Sequence, residues 1–402
     1  MRNFQMNFVF ISPHFPRTYW NFCDRLKKNG VRVLGIGDAP FGELDDNLKN
    51  SLTEYYLVPK LEDYNAVFKA VAFFSFKYGK IDWLESNNEY WLEQDAKLRT
   101  DFNITTGVQS EQIEFMKEKH LMKVKYLQND IPTAKQHQVT TIEEARAFLD
   151  VTGYPVIAKP DVGVGATHTY KLHSDFELEK FFAEKPDAPY VIEEFIDGDI
   201  CSYDAIIDSH MNPLFESMTV WPPSIMDIVN KQLDLSYYTS AYVPPALQTL
   251  GRKTVAAFGA KSRFVHLEFF RLKTPRRTLG DVGDFVALEV NMRPAGGYTP
   301  DMMNFAHSTD VYQIWADMVS ADKIIHPLKD SHQFCAYASR RECYEYVHSH
   351  EEIMERYGSA IVMQEEMPPM NWPQMGRWMY TAKTNSEEET LAFIHFVHEK
   401  RT

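Results

Sequence analysis

Cysteine is scarce in this chain, and its few cysteines are scattered. The 402 residues include four cysteines, at positions 23, 201, 335 and 343, and no two of them form a CxxC pair. Disulfide frameworks and cysteine-based zinc sites normally use closely spaced pairs, so we expect neither. We interpret the thiols as buried or without a chemical role, and a reducing cytoplasm fits that interpretation.

Long hydrophobic runs are missing as well. The apolar run near the N-terminus, residues 8–11, is too short for the core of a signal peptide. No stretch approaches the roughly 20 apolar residues of a membrane-spanning helix. Internal repeats and low-complexity linkers are also absent from the sequence. We therefore expect a soluble, cytoplasmic protein with no membrane partner.

Positive charge is in deficit. Lys and Arg number 42 against 56 Asp and Glu, which gives a formal net charge of −14. Nonspecific nucleic-acid binding needs a basic surface that displaces counterions, so we expect no nucleic-acid partner. Anionic substrates are not excluded, because a local group of Lys and Arg can hold phosphate inside an acidic protein.

The chain is too long for one ordinary core, and its patterns change along its length. Strand, helix and strand patterns over residues 7–13, 19–28 and 31–38 predict a parallel α/β unit in the first hundred residues. Later segments predict smaller α+β units, with a helix over residues 110–129 and antiparallel strands from residue 190 onward. The predicted domains are residues 1–111, 112–189, 190–320 and 321–402.

A lysine at the end of a predicted strand precedes a glycine-containing loop. Lys159 is followed within six residues by Gly163 and Gly165. The lysine can reach a phosphate, and glycines let backbone N–H groups approach the same anion. GxG turns between strands are common, so the loop alone favours a structural turn.

Two adjacent acids, Glu193 and Glu194, end an apolar strand and lead into Phe195, Ile196 and a turn containing Asp199. Alternate residues of a strand face opposite sides, so at least one of the two acids is expected to face a cleft. Backbone groups at this junction can pair with the edge of a purine. A surface hairpin with solvated acids explains the local pattern equally well.

The most specific pattern lies on two later strands. Glu289, Asn291 and Arg293 alternate along one strand, and Glu268 lies on another strand that can pair with it. Two carboxylates and an amide oxygen suit Mg²⁺, or Mn²⁺ in its place. So many polar groups on one strand face would be costly without a ligand. A structural Arg–Glu pair inside a barrel is the alternative.

Taken in order, these motifs resemble the ATP-grasp family. The resemblance covers about residues 110–318 and adds a lysine in the sequence EKHLM, Lys119, before the motifs above. It implies an N-terminal Rossmann-like α/β domain (the pre-ATP-grasp domain), a two-subdomain ATP-grasp fold and a small α+β C-terminal domain. The implied activity is ATP-dependent, ADP-forming carboxylate–amine ligation through an acyl phosphate.

The same resemblance implies a role for each motif. ATP phosphates would be held by the two lysines, with the glycine loop closing over them. Adenine would lie along residues 193–198, the segment that we call the hinge. The implied nucleotide-binding set is Lys119, Lys159, Gly163, Gly165, Glu193, Glu194, Phe195, Ile196 and Asp199. The implied metal ligands are Glu268, Glu289 and Asn291. The implied catalytic residues are Arg293, which would bind the substrate carboxylate or the acyl phosphate, with Lys159 and His266.

Three features depart from the family pattern. Many members carry a ribose-binding Glu where this chain has Ile200, and we take Asp199 as the candidate replacement. His266 stands where many relatives have an Arg, two residues before the first metal acid, and its charge can change with pH. Residues 221–245 form an aromatic, proline-rich insert that we interpret as a packed surface loop, with a pocket lining as the alternative.

These motifs do not identify the substrates. Residues 293–303, with a Gly-Gly turn before a helix start, can present N–H groups to an anion. Arg276 and Arg277 can attract a second carboxylate, although such a pair is more often solvated. An amino-acid or dipeptide type carboxylate–amine ligase is our first hypothesis. An enzyme of purine or bicarbonate type, a carboxylate–thiol ligase and a nucleotide-binding module without turnover stay open. The expected partners are a small carboxylate and an amine, and a homodimer is left open.

Overall fold

The N-terminal region forms a four-stranded parallel sheet. The computed structural model describes residues 5–163, 168–222, 228, 233–327, 329, 331–369 and 372–401. The first elements are β1 (Asn7–Ile11), α1 (Trp20–Lys28), β2 (Arg32–Gly37), α2 (Asp46–Ser51), β3 (Glu54–Leu57), α3 (Tyr64–Tyr78), β4 (Trp83–Glu85) and α4 (Leu92–Asp101). The strand order is β3-β2-β1-β4, and every residue of β1 is buried. The predicted parallel α/β unit is confirmed.

A second, antiparallel sheet follows. Its elements are α5 (Ser110–Lys117), α6 (Lys119–Gln128), β5 (Gln136–Val139), α7 (Ile142–Thr152), β6 (Val156–Pro160), β7 (Tyr170–Leu172), α8 (Asp175–Glu184) and β8 (Tyr190–Glu194). The strand order is β5-β8-β6-β7. A capping box begins α7, since Thr141 accepts from the amide of Glu144 and the Glu144 carboxylate accepts from the amide of Thr141.

The single helix predicted over residues 110–129 is wrong, because the chain breaks at Glu118. Glu118 has an extended backbone, with φ −88° and ψ 117°, and separates α5 from α6. The first amides of α6 bind a neighbouring loop instead: Lys119 N donates to Asp161 O at 3.1 Å and His120 N to Asp161 Oδ1 at 2.9 Å. The break therefore fixes the start of α6, and with it Lys119, against the loop after β6.

The third sheet is the largest, with eight antiparallel strands. Its elements are β9 (Gly198–Ile207), β10 (Pro213–Trp221), β11 (Ser236–Thr239), α9 (Pro245–Phe258), β12 (Arg263–Leu272), β13 (Phe285–Asn291), α10 (Thr299–His307), α11 (Val311–Ala321), β14 (Phe334–Arg340), α12 (His350–Tyr357), β15 (Ile361–Glu366), α13 (Trp372–Met375), β16 (Trp378–Thr384) and α14 (Glu387–His398). The strand order is β13-β12-β9-β10-β11-β14-β16-β15.

Strand pairing crosses two of the predicted domain boundaries. β8 pairs with β5 and β6, although the boundary at residue 190 assigns it to the next domain. β14 pairs with β11, so the strands after residue 321 continue the large sheet. The division into four domains stays a prediction, but backbone hydrogen bonding joins segments on both sides of these two boundaries.

The insert at residues 221–245 contributes a strand as well as loop. All four residues of β11 are buried, and β11 pairs with β10 and β14. Its aromatic and β-branched residues suit a buried strand, which explains the difference from the predicted surface loop. Residues 223–227 and 229–232 of the insert lie outside the described part of the chain.

The two faces of the large sheet pack against different elements. Tyr203 of β9 faces a core that includes residues of α9, whereas Ile206 and Phe264 face a core shared with Phe8 of β1 and Trp315 of α11. The N-terminal region thus covers part of the face on which the even-numbered residues of β9 and β12 lie. None of the helices in the described part of the chain has the length and apolar character of a membrane span. The four cysteines are free thiols, three of them buried.

Candidate active site

The polar residues of β12 and β13 meet on one face of the large sheet. In the antiparallel pairing, Glu268 lies opposite Glu289 and His266 lies opposite Asn291. Directly opposed residues of paired strands share a face, so the two carboxylates and the amide project to the same side. This juxtaposition, predicted from the alternation alone, is present in the structure. The donor set fits a hard cation such as Mg²⁺.

Lys119 joins these acids from the second sheet region. Its ammonium lies 3.4 Å from Glu289 Oε1 and donates to Gly163 O at 3.0 Å, and the side chain is largely buried. One lysine therefore contacts both the loop after β6 and the strand that carries the acids. Gly163 has φ +148°, a conformation that favours glycine. Gly165 lies outside the described residues.

Lys159, like Lys119, is a buried lysine close to carboxylates. Its ammonium lies 2.6 Å from Glu193 Oε2, and it is buried. Burial favours the neutral form, but the fields of Glu193, Glu289 and Glu268 outweigh burial and raise the pKa of Lys159. Lys159 thus contacts Glu193 and lies in the field of Glu289, the acid that Lys119 contacts.

A third lysine, Lys123, was missed by the sequence reading. Lys123 Nζ lies 2.8 Å from Glu193 Oε1 and donates to Thr133 Oγ1 at 2.6 Å, and all three side chains are buried. Lys119 and Lys123 stand four residues apart on α6, a spacing that places them on one helix face. That spacing was the signal that could have found Lys123.

Glu193 is held ionised by its two lysines. Burial alone would raise its pKa, but Lys123 and Lys159 together lower the pKa to about 2. Of the two adjacent acids, Glu193 is therefore the one that faces the interior. Glu194 has a local role instead, since its Oε1 accepts from the amide of Lys135 at 2.8 Å.

The rest of the hinge is placed by packing and one cation. Ile196 is buried with Leu272 and Val286. The carbonyl of Phe195 accepts from Arg276 Nη2 at 2.5 Å, so Arg276 contacts the hinge and is not simply solvated. Asp199 Oδ1 lies 2.6 Å from Lys273 Nζ, so the candidate ribose ligand already pairs with a lysine.

His266 is a buried cation between two carboxylates. Its Nδ1 lies 2.6 Å from Asp204 Oδ1 and its Nε2 lies 3.2 Å from Glu268 Oε1. Burial would lower its pKa, but Asp204 and then Glu268 raise the pKa to about 9. The histidine therefore places a positive charge beside Glu268, where many relatives have an arginine. Asp204, which orients the ring, was not predicted.

Arg293 reaches from the end of β13 toward the N-terminal region. Its Nη2 donates to Asn291 Oδ1 at 3.2 Å and its Nη1 donates to Pro294 O at 2.8 Å. Its Nε lies 3.5 Å from Glu89 Oε2. Glu89 was also missed, because it stands about two hundred residues away in sequence.

A further acidic group borders Lys119. Glu118, His120 and Asp161 lie close enough to hold a metal ion, and His120 Nδ1 is 2.5 Å from Asp161 Oδ2. Gln138 Nε2 also donates to Asp161 Oδ2 at 3.1 Å. These contacts attach the start of α6 to the segment that leads into the glycine loop.

The fold is that of the ATP-grasp ligases. The L-amino acid ligase from Bacillus licheniformis superposes with a TM-score of 0.71 at 17% identity, covering 98% of this chain and 97% of that chain. The N5-carboxyaminoimidazole synthetase from Staphylococcus aureus, complexed with ADP, superposes with a TM-score of 0.70 at 12% identity, covering 99% of both chains. At these identities the likeness defines the fold, and the predicted fold class is confirmed.

Sequence comparison also identifies relatives of this chain. The chain is 26% identical over 253 residues to the L-arginine-specific L-amino acid ligase of Bacillus subtilis, a match that covers 60% of this chain and 58% of that protein. It is 31% identical over 83 residues to the carbamoyl phosphate synthase large chain of Streptomyces coelicolor, covering 19% of this chain and 8% of that protein. The chain thus spans less than two thirds of either relative. No family model matches it.

Proposed function

We propose that this chain is an ADP-forming ligase that phosphorylates a small carboxylic acid, an amino acid, and couples the resulting acyl phosphate to an amine. The observation that carries the proposal is the contact of Lys119 with Glu289, with Lys159 in the electrostatic field of the same acid. A cation from the second sheet region thus meets an acid of the large sheet, as expected where a metal-bound triphosphate lies between them. The name of the Bacillus subtilis relative supports an amino acid as the substrate.

The residues fit the metal and nucleotide that this reaction needs. Glu268, Glu289 and Asn291 would hold Mg²⁺, which supplies positive charge where phosphate and carboxylate anions approach each other. Lys119 and Lys159 would bind phosphate oxygens and offset the same repulsion. Both lysines now pair with carboxylates, so an incoming phosphate would exchange one anionic partner for another.

Arg293 would orient the carboxylate that becomes activated. It lies two residues beyond Asn291, just past the end of β13, and an arginine suits a planar carboxylate because it can donate two parallel hydrogen bonds. The second substrate, an amine, would then attack the acyl carbon and release phosphate. Because the acyl phosphate hydrolyses in water, closure of the region around the glycine loop is part of the proposal.

A direct test measures ADP and phosphate release from ATP and Mg²⁺. We expect release with pooled amino acids and none above background with bicarbonate or with thiols alone. Release that requires bicarbonate or a thiol would favour the other ligase types. ATP binding without ADP release under any condition would favour a nucleotide-binding module.

A substitution at Glu289 tests whether this residue is a metal ligand. Glu289→Ala should reduce kcat at least about a hundredfold, as expected when a charge-stabilising group is removed from an active site. Glu388→Ala, which removes an exposed acid from α14, is the matched control and should leave activity unchanged. Wild-type activity in Glu289→Ala would refute the metal assignment. A cytoplasmic location and a homodimer stay predictions.

A further inference from the structure

A carboxylate of the N-terminal region reaches the end of β13. Glu89 begins a short 3-10 helix, Glu89–Trp91, between β4 and α4, and the Asn88 side chain accepts from the amide of Tyr90 at 3.0 Å at its start. This turn directs Glu89 toward Arg293. The Glu89 side chain is only 12% exposed although it carries a charged group.

Within the described part of the chain, one carboxylate oxygen of Glu89 has no hydrogen-bond donor. Its Oε2 is buried and accepts no hydrogen bond from any residue that the structure describes. The Arg293 Nε atom is 3.5 Å away, beyond a normal hydrogen bond, and two other nitrogens of Arg293 are bound to Pro294 and Asn291. A buried carboxylate oxygen without a donor costs free energy, so this position favours an additional cationic donor.

The surrounding charges connect Glu89 to the metal site. Burial raises the pKa of Glu89, Arg293 lowers it, Glu289 raises it, and Lys117 and Lys119 lower it. Glu89 therefore lies within the field of the residues that we assign to Mg²⁺ and phosphate. Among the described residues its ion pair is with Arg293 and not with one of those metal ligands, so it can bind a different part of the substrate.

An α-amino acid carries its two charges on one carbon atom. Arg293 offers a planar cation for the carboxylate, and Glu89 offers an acceptor for an ammonium group beside it. A simple carboxylic acid or bicarbonate would leave Glu89 Oε2 without a hydrogen-bond donor, and leaving a buried polar atom unsatisfied is what gives strong discrimination. The pair thus matches a zwitterion better than an anion.

We propose that Glu89 recognises the α-ammonium group of the substrate whose carboxylate is activated, and so restricts that substrate to a zwitterionic α-amino acid. This inference rests on the ligase function proposed above and adds the residue that selects the substrate class. A structural ion pair between Glu89 and Arg293 is the competing explanation, and it predicts no effect on substrate choice.

The experiment compares an amino acid with its des-amino analogue, which has hydrogen in place of the ammonium group. The amino acid is the one with the highest ADP release by the wild type. Glu89→Gln should raise KM for the amino acid at least about tenfold, because a hydrogen bond to a charged group is lost, and should leave KM for ATP unchanged. The preference in kcat/KM for the amino acid over its analogue should fall by a similar factor.

Glu93→Gln is the matched control. Glu93 lies in α4 of the same region, is 74% exposed on its side chain, and pairs with Lys117 at 3.5 Å without reaching Arg293. We expect wild-type KM and wild-type preference in this variant. Glu89→Asp keeps the charge and should retain part of the preference, and melting temperatures report whether each variant is folded.

Each outcome separates the two proposals. If the wild type releases ADP but Glu89→Gln keeps the wild-type KM and preference, the role of Glu89 is refuted and the ligase function stands. A lower kcat at unchanged KM and preference also refutes ammonium recognition, since it indicates an interaction made only in the transition state. If the wild type releases no ADP with any amino acid, the ligase function itself fails and this inference fails with it.

Discussion

At the scale of single residues, the charges of the site are arranged around Glu193. Lys123 and Lys159 contact different oxygens of this one buried carboxylate, at 2.8 and 2.6 Å. Glu193 places one negative charge between two buried ammonium groups, and burial lowers the pKa of Lys123. Such a group can hold two ammonium ions close together and still attract phosphate.

The titration of Glu193 gives a testable pH dependence. Its folded pKa of about 2 is below its ordinary value of 4.5, so its contribution to stability is present above pH 4.5 and is lost as the pH falls toward 2. The slope from this one group is about 1.4 kcal/mol per pH unit within that window. The wild type should therefore be more stable than Glu193→Gln at pH 5, and the difference should shrink at pH 3.

Urea denaturation of both proteins at the two pH values measures this difference. Glu194→Gln is the control, because Glu194 lies on the same strand but contacts the backbone of Lys135 and neither lysine. A stability difference between the wild type and Glu193→Gln that is the same at both pH values would contradict the account of the lysine pair.

At the scale of elements, the large sheet depends on a close contact between α9 and β9. Gly251 lies in the middle of α9, and a methyl group at this position would overlap the ring of Tyr203. Tyr203 is buried and its hydroxyl contacts Glu216, so the ring has little freedom to move. The glycine is therefore required by packing, although glycine is a poor residue for a helix interior.

Gly251→Ala should destabilise the protein. Alanine gains up to about 1 kcal/mol in helix propensity, but overpacking of a filled core costs about 1–3 kcal/mol. We expect a net loss of stability of about 1–2 kcal/mol by chemical denaturation. Thr249→Ala, at an exposed position of the same helix, should be neutral or slightly stabilising. A stabilised Gly251→Ala variant would show that the helix can shift away from β9.

Local patterns predicted the elements that are built from neighbouring residues. The alternation of Glu289 and Asn291 was enough to place these two side chains on one strand face, with Glu268 opposite Glu289 as expected. Arg293, predicted on the same strand, lies beyond its end at Asn291. The break at Glu118 could not be predicted, because the bonds that start α6 there come from Asp161, about forty residues further along the chain.

The missed residues share one cause, which is dependence on distant contacts. Lys123 becomes significant only because β8 brings Glu193 to it, and Glu89 only because the N-terminal region packs near Arg293. In sequence, Glu89 does not differ from a charge on a solvated surface, and Lys123 differs only by its spacing of four residues from Lys119. The order of motifs predicted the fold, whereas the charge pairs across the site had to be observed.

At the scale of the whole molecule, a buried ion network joins the N-terminal region to β12 and to the end of β13. Arg263 of β12 donates to Met292 O at 2.6 Å, next to Asn291, and lies 3.3 Å from Glu85 at the end of β4. Arg99 of α4 also lies 3.3 Å from Glu85. One carboxylate thus connects two arginines from different parts of the chain.

Removing that carboxylate should be costly. Glu85→Ala leaves two buried guanidinium groups with less compensation, so we expect a loss of about 3–5 kcal/mol in the free energy of unfolding. Glu179→Ala removes one partner of an exposed ion pair with Arg146 and should cost no more than about 1 kcal/mol. Equal and small losses in the two variants would mean that the network does not hold the regions together.

The central claim is that the lysines and the acids act on one magnesium triphosphate. Calorimetric titration of MgATP into the wild type, Lys159→Met, Glu289→Gln and the double variant measures their coupling directly. We predict non-additive effects, with an interaction free energy of about 0.5–3 kcal/mol, as expected for residues that share a ligand. Effects that add to within about 0.5 kcal/mol would contradict the claim, because they would mean that Lys159 and Glu289 do not bind the same nucleotide.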